Sequence, residues 1–246
     1  DGISSRGVSL HGSGFIVSQQ QASALGRERN ASLQTYLREY FNGKDLTSRP
    51  RGVYAIDLFG LSAKQVQEKF PSLFQYVSDN VRAEREGKVG KSPDLAAYAK
   101  EWWLFGKTRP ELRSALTQLG RYVSTVETSK HRFFQFLNAE ILPDNMLVNF
   151  AFSESERLSV MTSRLHTHWA LELGGTLGPT PRYNKTRCYN PFPFPNLTDA
   201  QSAKLDALGE RLDAFRKERL AEHAFLTMTD MYNVLERLRE LEAGAD

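Results

Sequence analysis

Along residues 33–41 the apolar side chains of Leu33, Tyr36, Leu37, Tyr40 and Phe41 fall three and four apart, on one face of a helix. That spacing predicts a helix, and Asn42-Gly43 is a turn signal that stops it. Upstream, Val8, Leu10 and Phe15-Ile16-Val17 read as short extended segments around Gly12 and Gly14, and residues 19–25 suit a short helix. Residues 52–59 hold Val53-Tyr54-Ala55-Ile56, the run of a buried strand. Ser62 is an N-cap for a helix from Ala63. Pro71 opens a second helix bearing Leu73, Phe74 and Val77, which runs into the charged residues 82–86, and 88–92 reads as a loop.

The centre is richer in strand patterns. After the aromatic run Trp102-Trp103-Leu104-Phe105, residues 110–119 suit a short helix with Pro110 in its first turn. Residues 121–126, 132–137 and 146–152 carry the β-branched and aromatic residues of strands. Leu165, Trp169 and Leu173 stand at four-residue steps, which predicts an amphipathic helix over 163–173 ending at Gly174-Gly175. Residues 178–196 hold five prolines and read as a structured loop. From Thr198 onward there is no proline, and Thr198 with Gln201 forms a capping box. Leu205, Leu208, Leu212 and Phe215 make one apolar stripe; Met231, Val234, Leu235, Leu238 and Leu241 make a second at heptad-like spacing. Burying each large side chain is worth roughly 1.5–3 kcal/mol. Two antiparallel helices, breaking within 223–229 and packed on each other and on the body, are therefore expected.

Composition narrows the function classes. A chain of 246 residues with 40% hydrophobic, 11% aromatic and 25% charged residues is an ordinary folded protein, not a disordered tail, a collagen-like repeat or a coiled coil throughout. No run of about 18 apolar residues predicts a membrane span. The single cysteine, Cys188, excludes an internal disulfide and a multi-thiolate zinc site. With no signal-peptide pattern, a reducing cytoplasm is the expected home. The chain opens at Asp1 rather than methionine, and a piece of a longer protein is expected. The net charge of +3 hides an asymmetry: residues 198–246 hold seven Lys and Arg against eleven Asp and Glu, leaving 25 against 18 in the rest. A basic body with an acidic tail suits a module that touches phosphates through one part and protein through another. A solvated surface of mixed charge is the alternative.

Several patterns carry no chemistry of their own. Asn190-Pro191-Phe192-Pro193 resembles the Asn-Pro-Pro-aromatic loop of amino methyltransferases, but a phenylalanine interrupts the prolines and a helical tail follows; it reads as packing. Gly12-Ser13-Gly14 lacks the βαβ unit of a dinucleotide loop. Gly106-Lys107-Thr108 has Glu101 where a phosphate loop needs its first glycine. His166 and His168, two apart on a helix, point to separated faces and cannot chelate one metal. No Gly-x-Ser-x-Gly elbow is present. What remains is a set of basic residues interleaved with aromatic and hydroxyl groups. Lys107, Arg109 and Arg113 follow the tryptophans; Arg121-Tyr122 leads to Thr128-Ser129-Lys130-His131-Arg132; Ser163-Arg164-Leu165-His166 opens a helix; Arg182-Tyr183-Asn184-Lys185-Thr186-Arg187 lies in the proline-rich loop. Lys and Arg neutralise phosphates, hydroxyls and amides hold register, and Arg, Lys or Asn read base edges.

These same residues carry a resemblance to a family. Ser129-Lys130-His131-Arg132-Phe133-Phe134 with Leu142-Pro143-Asp144-Asn145, Ser163-Arg164-Leu165-His166 with Trp169, Pro181-Arg182-Tyr183 and the closing Phe192-Pro193-Phe194-Pro195 are its strongest elements. Gly12-Ser13-Gly14-Phe15, Leu37 with Asn42-Gly43-Lys44-Asp45-Leu46, and residues 54–59 precede them. In this order the chain resembles the target-recognition region of MmeI-like enzymes, single-chain type II restriction–modification proteins that methylate adenine in DNA. Cys188-Tyr189-Asn190-Pro191 departs from the usual Thr/Phe-rich approach to the closing motif.

The resemblance implies a mixed α/β fold: a recognition domain over 1–196, with a central twisted sheet flanked by helices as in type I specificity subunits, and a helical spacer over 197–246. It implies no catalytic residue and no cofactor in this chain. S-adenosylmethionine belongs to an upstream methyltransferase domain of the same parent, into which a target adenine is flipped while the module holds the duplex. The partners implied are double-stranded DNA and that domain, in a bacterial cytoplasm. The residues expected on DNA are Lys44, Arg49, Lys107, Arg109, Arg121, Lys130, His131, Arg132, Arg164, His166, Arg182, Tyr183, Lys185 and Arg187. The competing reading is a non-catalytic scaffold or specificity-type interaction domain whose basic residues are incidental.

Overall fold

Two four-stranded sheets organise the chain, and each takes one strand from the other half of the sequence. The computed structural model describes residues 4–244. The first half runs β1 (Ser4–Arg6), β2 (Ile16–Ser18), α1 (Gln19–Ala24), α2 (Ala31–Gln34), β3 (Leu37–Phe41), α3 (Gly43–Thr47) and β4 (Val53–Ile56). It continues with α4 (Ala63–Lys69), α5 (Pro71–Val77), α6 (Ala83–Glu86), α7 (Pro93–Lys100) and α8 (Pro110–Leu116). Then come β5 (Arg121–Val126), β6 (Gln135–Asn138), β7 (Leu142–Pro143), β8 (Leu147–Phe150), α9 (Ser155–Thr162) and α10 (Arg164–Gly174). A small hairpin of β9 (Thr176–Leu177) and β10 (Thr180–Pro181) precedes α11 (Lys185–Cys188), α12 (Asp199–Glu222) and α13 (Met228–Ala243).

The first sheet has the order β2-β4-β3-β7 and the second β1-β8-β5-β6. All neighbours are antiparallel except β3 and β7. Because β1 belongs to the second sheet and β7 to the first, neither sheet is complete without both halves of the chain. Arg38 adds to the stitching, donating to the carbonyls of Glu140 and Ala139 at 3.0 Å each. Arg113 grips the buried Asp57 carboxylate through both terminal nitrogens at 2.7 and 3.0 Å.

The second sheet is covered on both faces, and the strand alternation sorts its residues. Val123, Val148 and Phe150 face a cluster with Phe134, Leu158, Met161, Ala170 and Tyr183 under α9, α10 and α11. Tyr122, Val126 and Leu147 face the other way, onto Leu46, Leu112 and Met228. A third cluster, built on Phe15, Val17, Leu37 and Ile56 with Val66, Leu73 and Val77, packs α4 and α5 on the first sheet.

The local signals at 62 and 198 hold. The Ser62 and Thr198 side chains each accept from the backbone three residues on and close capping boxes with Gln65 and Gln201. Residues 33–41 are a correction: a single helical turn is followed by β3, which pairs with both β4 and β7. The spacing that suited a helix also puts Leu37, Tyr40 and Phe41 against buried neighbours in a strand. Asn42 is corrected with it. It starts α3 rather than stopping a helix, because Asp45 at the third position reaches back to its amide at 2.8 Å.

The tail is two helices broken over 223–227, as expected, but they do not zip together along their stripes. α12 lies on α9 and buries Gly209, Asp213 and Arg216, while Leu208, Phe215, Val234, Leu238 and Leu241 remain exposed. The two helices meet near their turn, where Arg216 donates to the Tyr232 hydroxyl. Body-packing outcompeted the hairpin because α12 offers the body polar ties. Asp213 accepts the Phe136 amide at 3.2 Å, and Arg216 donates to the Phe134 carbonyl at 2.8 Å.

Candidate nucleic-acid interface

One end of the second sheet gathers the loops that carry exposed polar groups. β5 ends there at Val126, β8 begins at Leu147, β1 ends at Arg6 and β6 begins at Gln135. The chain after β5 keeps pairing past the sheet: Glu127 donates its amide to Met146 O at 2.8 Å, Tyr183 donates to Glu127 O at 2.6 Å and Ser129 to Pro181 O at 3.2 Å. Thr128 and Arg182 are thus antiparallel partners, and the β9–β10 hairpin is sewn to the sheet end. Gly174 makes this possible. A Cβ there would lie 2.2 Å from the Arg182 carbonyl, so only glycine lets α10 end against the strand that carries Arg182. α3 flanks the same end, with Gly43 against the Val126 side chain and Lys44 exposed beside it.

At the centre of this end sits a carboxylate between two guanidinium groups. The Glu127 side chain is 4% exposed, and its Oε1 accepts from Arg182 Nε at 2.7 Å, from Arg182 Nη2 at 2.6 Å and from Arg6 Nη2. The two arginines stay in solvent, 42% exposed for Arg6 and 40% for Arg182. A buried carboxylate without a cation would be costly. Here it fixes two long side chains that would otherwise sample many rotamers.

The structure puts three of the predicted contact residues in the interior, which corrects the expectation for them. Arg132 lies under the loop, donating to Thr125 Oγ1 at 3.0 Å and to the carbonyls of Val126, Glu127 and Pro181. Burial lowers its pKa to about 10, so it remains a cation. Tyr183 and His166 sit in the aromatic core, with the Tyr183 hydroxyl 3.3 Å from His166 Nε2. His166 Nδ1 is 2.8 Å from the Met161 carbonyl, which requires it to donate and leaves Nε2 as the acceptor. Burial pushes the His166 pKa down to about 4.

Other predicted residues are tied to the body. Arg49 caps the end of α12 through the carbonyls of Leu220, His223 and Leu226. Arg121, at the opposite end of β5 from Glu127, pairs with Glu210 and lies over the Phe136 ring. Lys130 pairs with Glu236 at 3.1 Å, and His131 Nε2 is 2.8 Å from Asn233 Oδ1, so α13 neutralises this loop. Arg109 donates to Gly7 O and Lys185 to Ser4 O. Lys44, Lys107, Arg164 and Arg187 are exposed, and among the described residues none has an acidic partner. Arg164 opens α10, about 15 Å along the helix from Gly174, away from the sheet end. The sheet end therefore brings together Lys44, Lys130, His131, Arg182 and Arg187, with Arg109 held beside it at Gly7; Lys185 is tied to Ser4, opposite Phe150 at the other end of β8, and Arg49, Arg121 and Arg164 lie outside.

The profile of the MmeI target recognition domain matches residues 6–196, well over half of the chain. The chain belongs to the MmeI target recognition domain family. DNA methyltransferase A of Bacillus subtilis (strain 168) is 28% identical over 110 residues, which is 43% of this chain and 12% of that protein. The type IIL restriction-modification enzyme MmeI, solved in complex with DNA, superposes with a TM-score of 0.72 at 17% identity, over 94% of this chain and 29% of that one. That likeness is one of fold, and it extends past the family match into the tail. The chain spans less than a third of either relative.

Two residues of this target recognition domain escape the sequence pattern. Arg6 stands alone in a Ser-rich segment and carries no local signal. Glu127 does carry one: an acid following the β-branched run Val123 to Val126 needs a cation nearby, and that requirement could have pointed to the arginines flanking it. Asn145 and the exposed Met146 reach the same end only because β7 and β8 turn there.

Proposed function

We propose that this chain reads double-stranded DNA for a longer, S-adenosylmethionine-dependent adenine methyltransferase of a bacterial, cytoplasmic restriction–modification system. The observation that carries the reading is the match to the target recognition family over 6–196. The convergence of loops 127–131 and 144–146, the β9–β10 hairpin and α3 at one sheet end supports it. A two-stranded ribbon fits a major groove about 12 Å wide. The hairpin turns at Gly178, in left-handed backbone with φ +57°, and carries an exposed Leu177 suited to a thymine methyl. Lys44 and Arg187 flank it as phosphate contacts. No helix among the described residues is long and apolar enough to cross a membrane.

The chain on its own carries no methyl transfer. The parent's methyltransferase domain supplies it, and the exposed apolar residues Leu208 and Phe215 of α12 and Val234 and Leu238 of α13 are offered to the rest of the parent. The test is binding of mixed-sequence duplexes by fluorescence anisotropy at several salt concentrations. The expected plot of log affinity against log salt has a slope of about −2, for the two phosphates met by Lys44 and Arg187. No measurable duplex binding at low salt would overturn the reading. Calorimetric titration with S-adenosylmethionine is expected to give no heat of binding; a micromolar site would return catalysis to this chain.

A further inference from the structure

We infer that Glu127 is a positioning residue for Arg182, and that Arg182 so held reads a guanine in the major groove. The inference rests on the duplex-reading function proposed above. Arg182 uses one side of its guanidinium, Nε and Nη2, on the single oxygen Glu127 Oε1 at 2.7 and 2.6 Å. The end-on edge, Nη1 with the second hydrogen of Nη2, has no hydrogen-bond partner among the described residues, on a side chain 40% exposed. That edge presents two parallel N–H groups. Guanine offers O6 and N7 side by side in the major groove, so the two patterns match bidentately.

Position as well as chemistry favours Arg182. Its backbone is fixed on three sides: Thr128 pairs with it across the sheet end, its amide donates to Gly175 O at 2.9 Å and its carbonyl packs against Gly174. It lies directly after the β9–β10 hairpin, the element narrow enough to enter the groove. An arginine whose rotamer is set before binding loses less entropy on contact, so discrimination rather than general affinity gains. Arg6 shares the same carboxylate oxygen through Nη2 alone and keeps the rest of its donors for a neighbouring base or phosphate.

The experiment is selection of bound sites from a random duplex pool by the wild-type chain and by Arg182→Ala, Arg182→Lys and Glu127→Gln, each checked for an unchanged melting temperature and far-ultraviolet spectrum. The wild type is expected to select a motif containing a guanine that both Arg182 variants relax by about tenfold, with other positions unaltered. Arg182→Lys keeps the charge and loses the bidentate edge, so it separates base reading from phosphate contact even if the alanine variant folds poorly. Glu127→Gln is expected to weaken the preference several-fold at the same position only. Uniform loss of affinity across all sequences, with the salt slope shallower by about one and the motif intact, would make Arg182 a phosphate contact and overturn the inference while leaving duplex reading in place. A wild-type chain that selects no motif removes both.

Discussion

Gly209 sits in the middle of a 24-residue helix, where a glycine costs about 1 kcal/mol relative to alanine. Helix propensity alone therefore makes Gly209→Ala stabilising. The packing says the opposite. A Cβ at this position would lie 2.2 Å from the Ser155 carbonyl oxygen and 2.9 Å from Ser159 Oγ, at the contact of α12 with α9. The serine hydroxyl can rotate away; the backbone carbonyl cannot, so the helices must part by about 1 Å. Forcing an extra methyl into such a contact costs roughly 1–3 kcal/mol. The displacement also pulls on ties within two turns: Glu210 to Ser155 at 2.6 Å, Asp213 to the Phe136 amide and Arg216 to the Phe134 carbonyl. Losing one or two of these adds about 1–2 kcal/mol, since each is worth roughly 1. Set against the propensity gain, the net is a loss of about 1–4 kcal/mol, or a fall in Tm of roughly 2–16 °C for a chain of this size. Differential scanning calorimetry measures it, and hydrogen exchange at the Phe136 amide reports whether the loss is local to the seam. A control, Ala214→Gly on the exposed side of α12, should lose only the propensity term. If Gly209→Ala melts at or above the wild-type temperature, the tail is not seated on α9 as described.

Other expectations concern the core and the tail. His166 is neutral and its folded pKa, about 4, lies below the ordinary 6.5, so the unfolded chain takes up its proton first as pH falls. Its contribution is intact above pH 6.5 and is lost progressively towards pH 4, about 3 kcal/mol in all; Tm followed across that window should fall more steeply in wild type than in His166→Gln, and parallel curves would refute the assignment. Arg49→Ala should cost about 1–3 kcal/mol by leaving the last carbonyls of α12 without their donor, seen as faster hydrogen exchange over 220–228. Truncation after Asn196 removes the partners of Phe134, Phe136 and Arg121 and should lower Tm or solubility; an unchanged melt would mean the body closes without the tail.

What could be read ahead of the structure was local chemistry. A serine or threonine with a glutamine three residues on fixes a helix start within four residues of chain, and both Ser62 and Thr198 do so. Residues 33–41 could not be read that way. Their apolar spacing is compatible with both periods, and the decision belongs to β4 and to β7, the latter about a hundred residues away. α7 buries none of its residues and α9 begins without a side-chain cap, so the first offered no periodic signal and the second no terminal one. The tail stripes were genuine as patterns. Their failure to pair reflects competition: polar residues on α12 found unsatisfied backbone groups on the body, and leaving those unpaired costs more than leaving half-exposed leucines in water.

The arginines show why the candidate interface was only partly legible. Arg85, Arg132 and Arg216 are all buried, and each spends donors on carbonyls where the chain leaves regular structure, Arg132 and Arg216 on a hydroxyl as well. Arg85 alone ties together Leu10, His11, Tyr98, Glu101 and Leu104. A planar group with five donors is suited to that work, and nothing in composition separates it from a phosphate contact. Neighbours in sequence do carry some information. Arg132 is followed by Phe133-Phe134, both buried, and is drawn in with them, whereas Arg182 follows the hairpin turn and Pro181 and stays out. Since so many basic groups are committed internally, the sheet end is left with few free charges and one pair oriented by a carboxylate. A surface of that kind gains little from long-range attraction and much from the placement of single side chains. Its affinity for DNA should therefore depend on salt modestly and on sequence steeply, the reverse of a basic patch that merely neutralises phosphates.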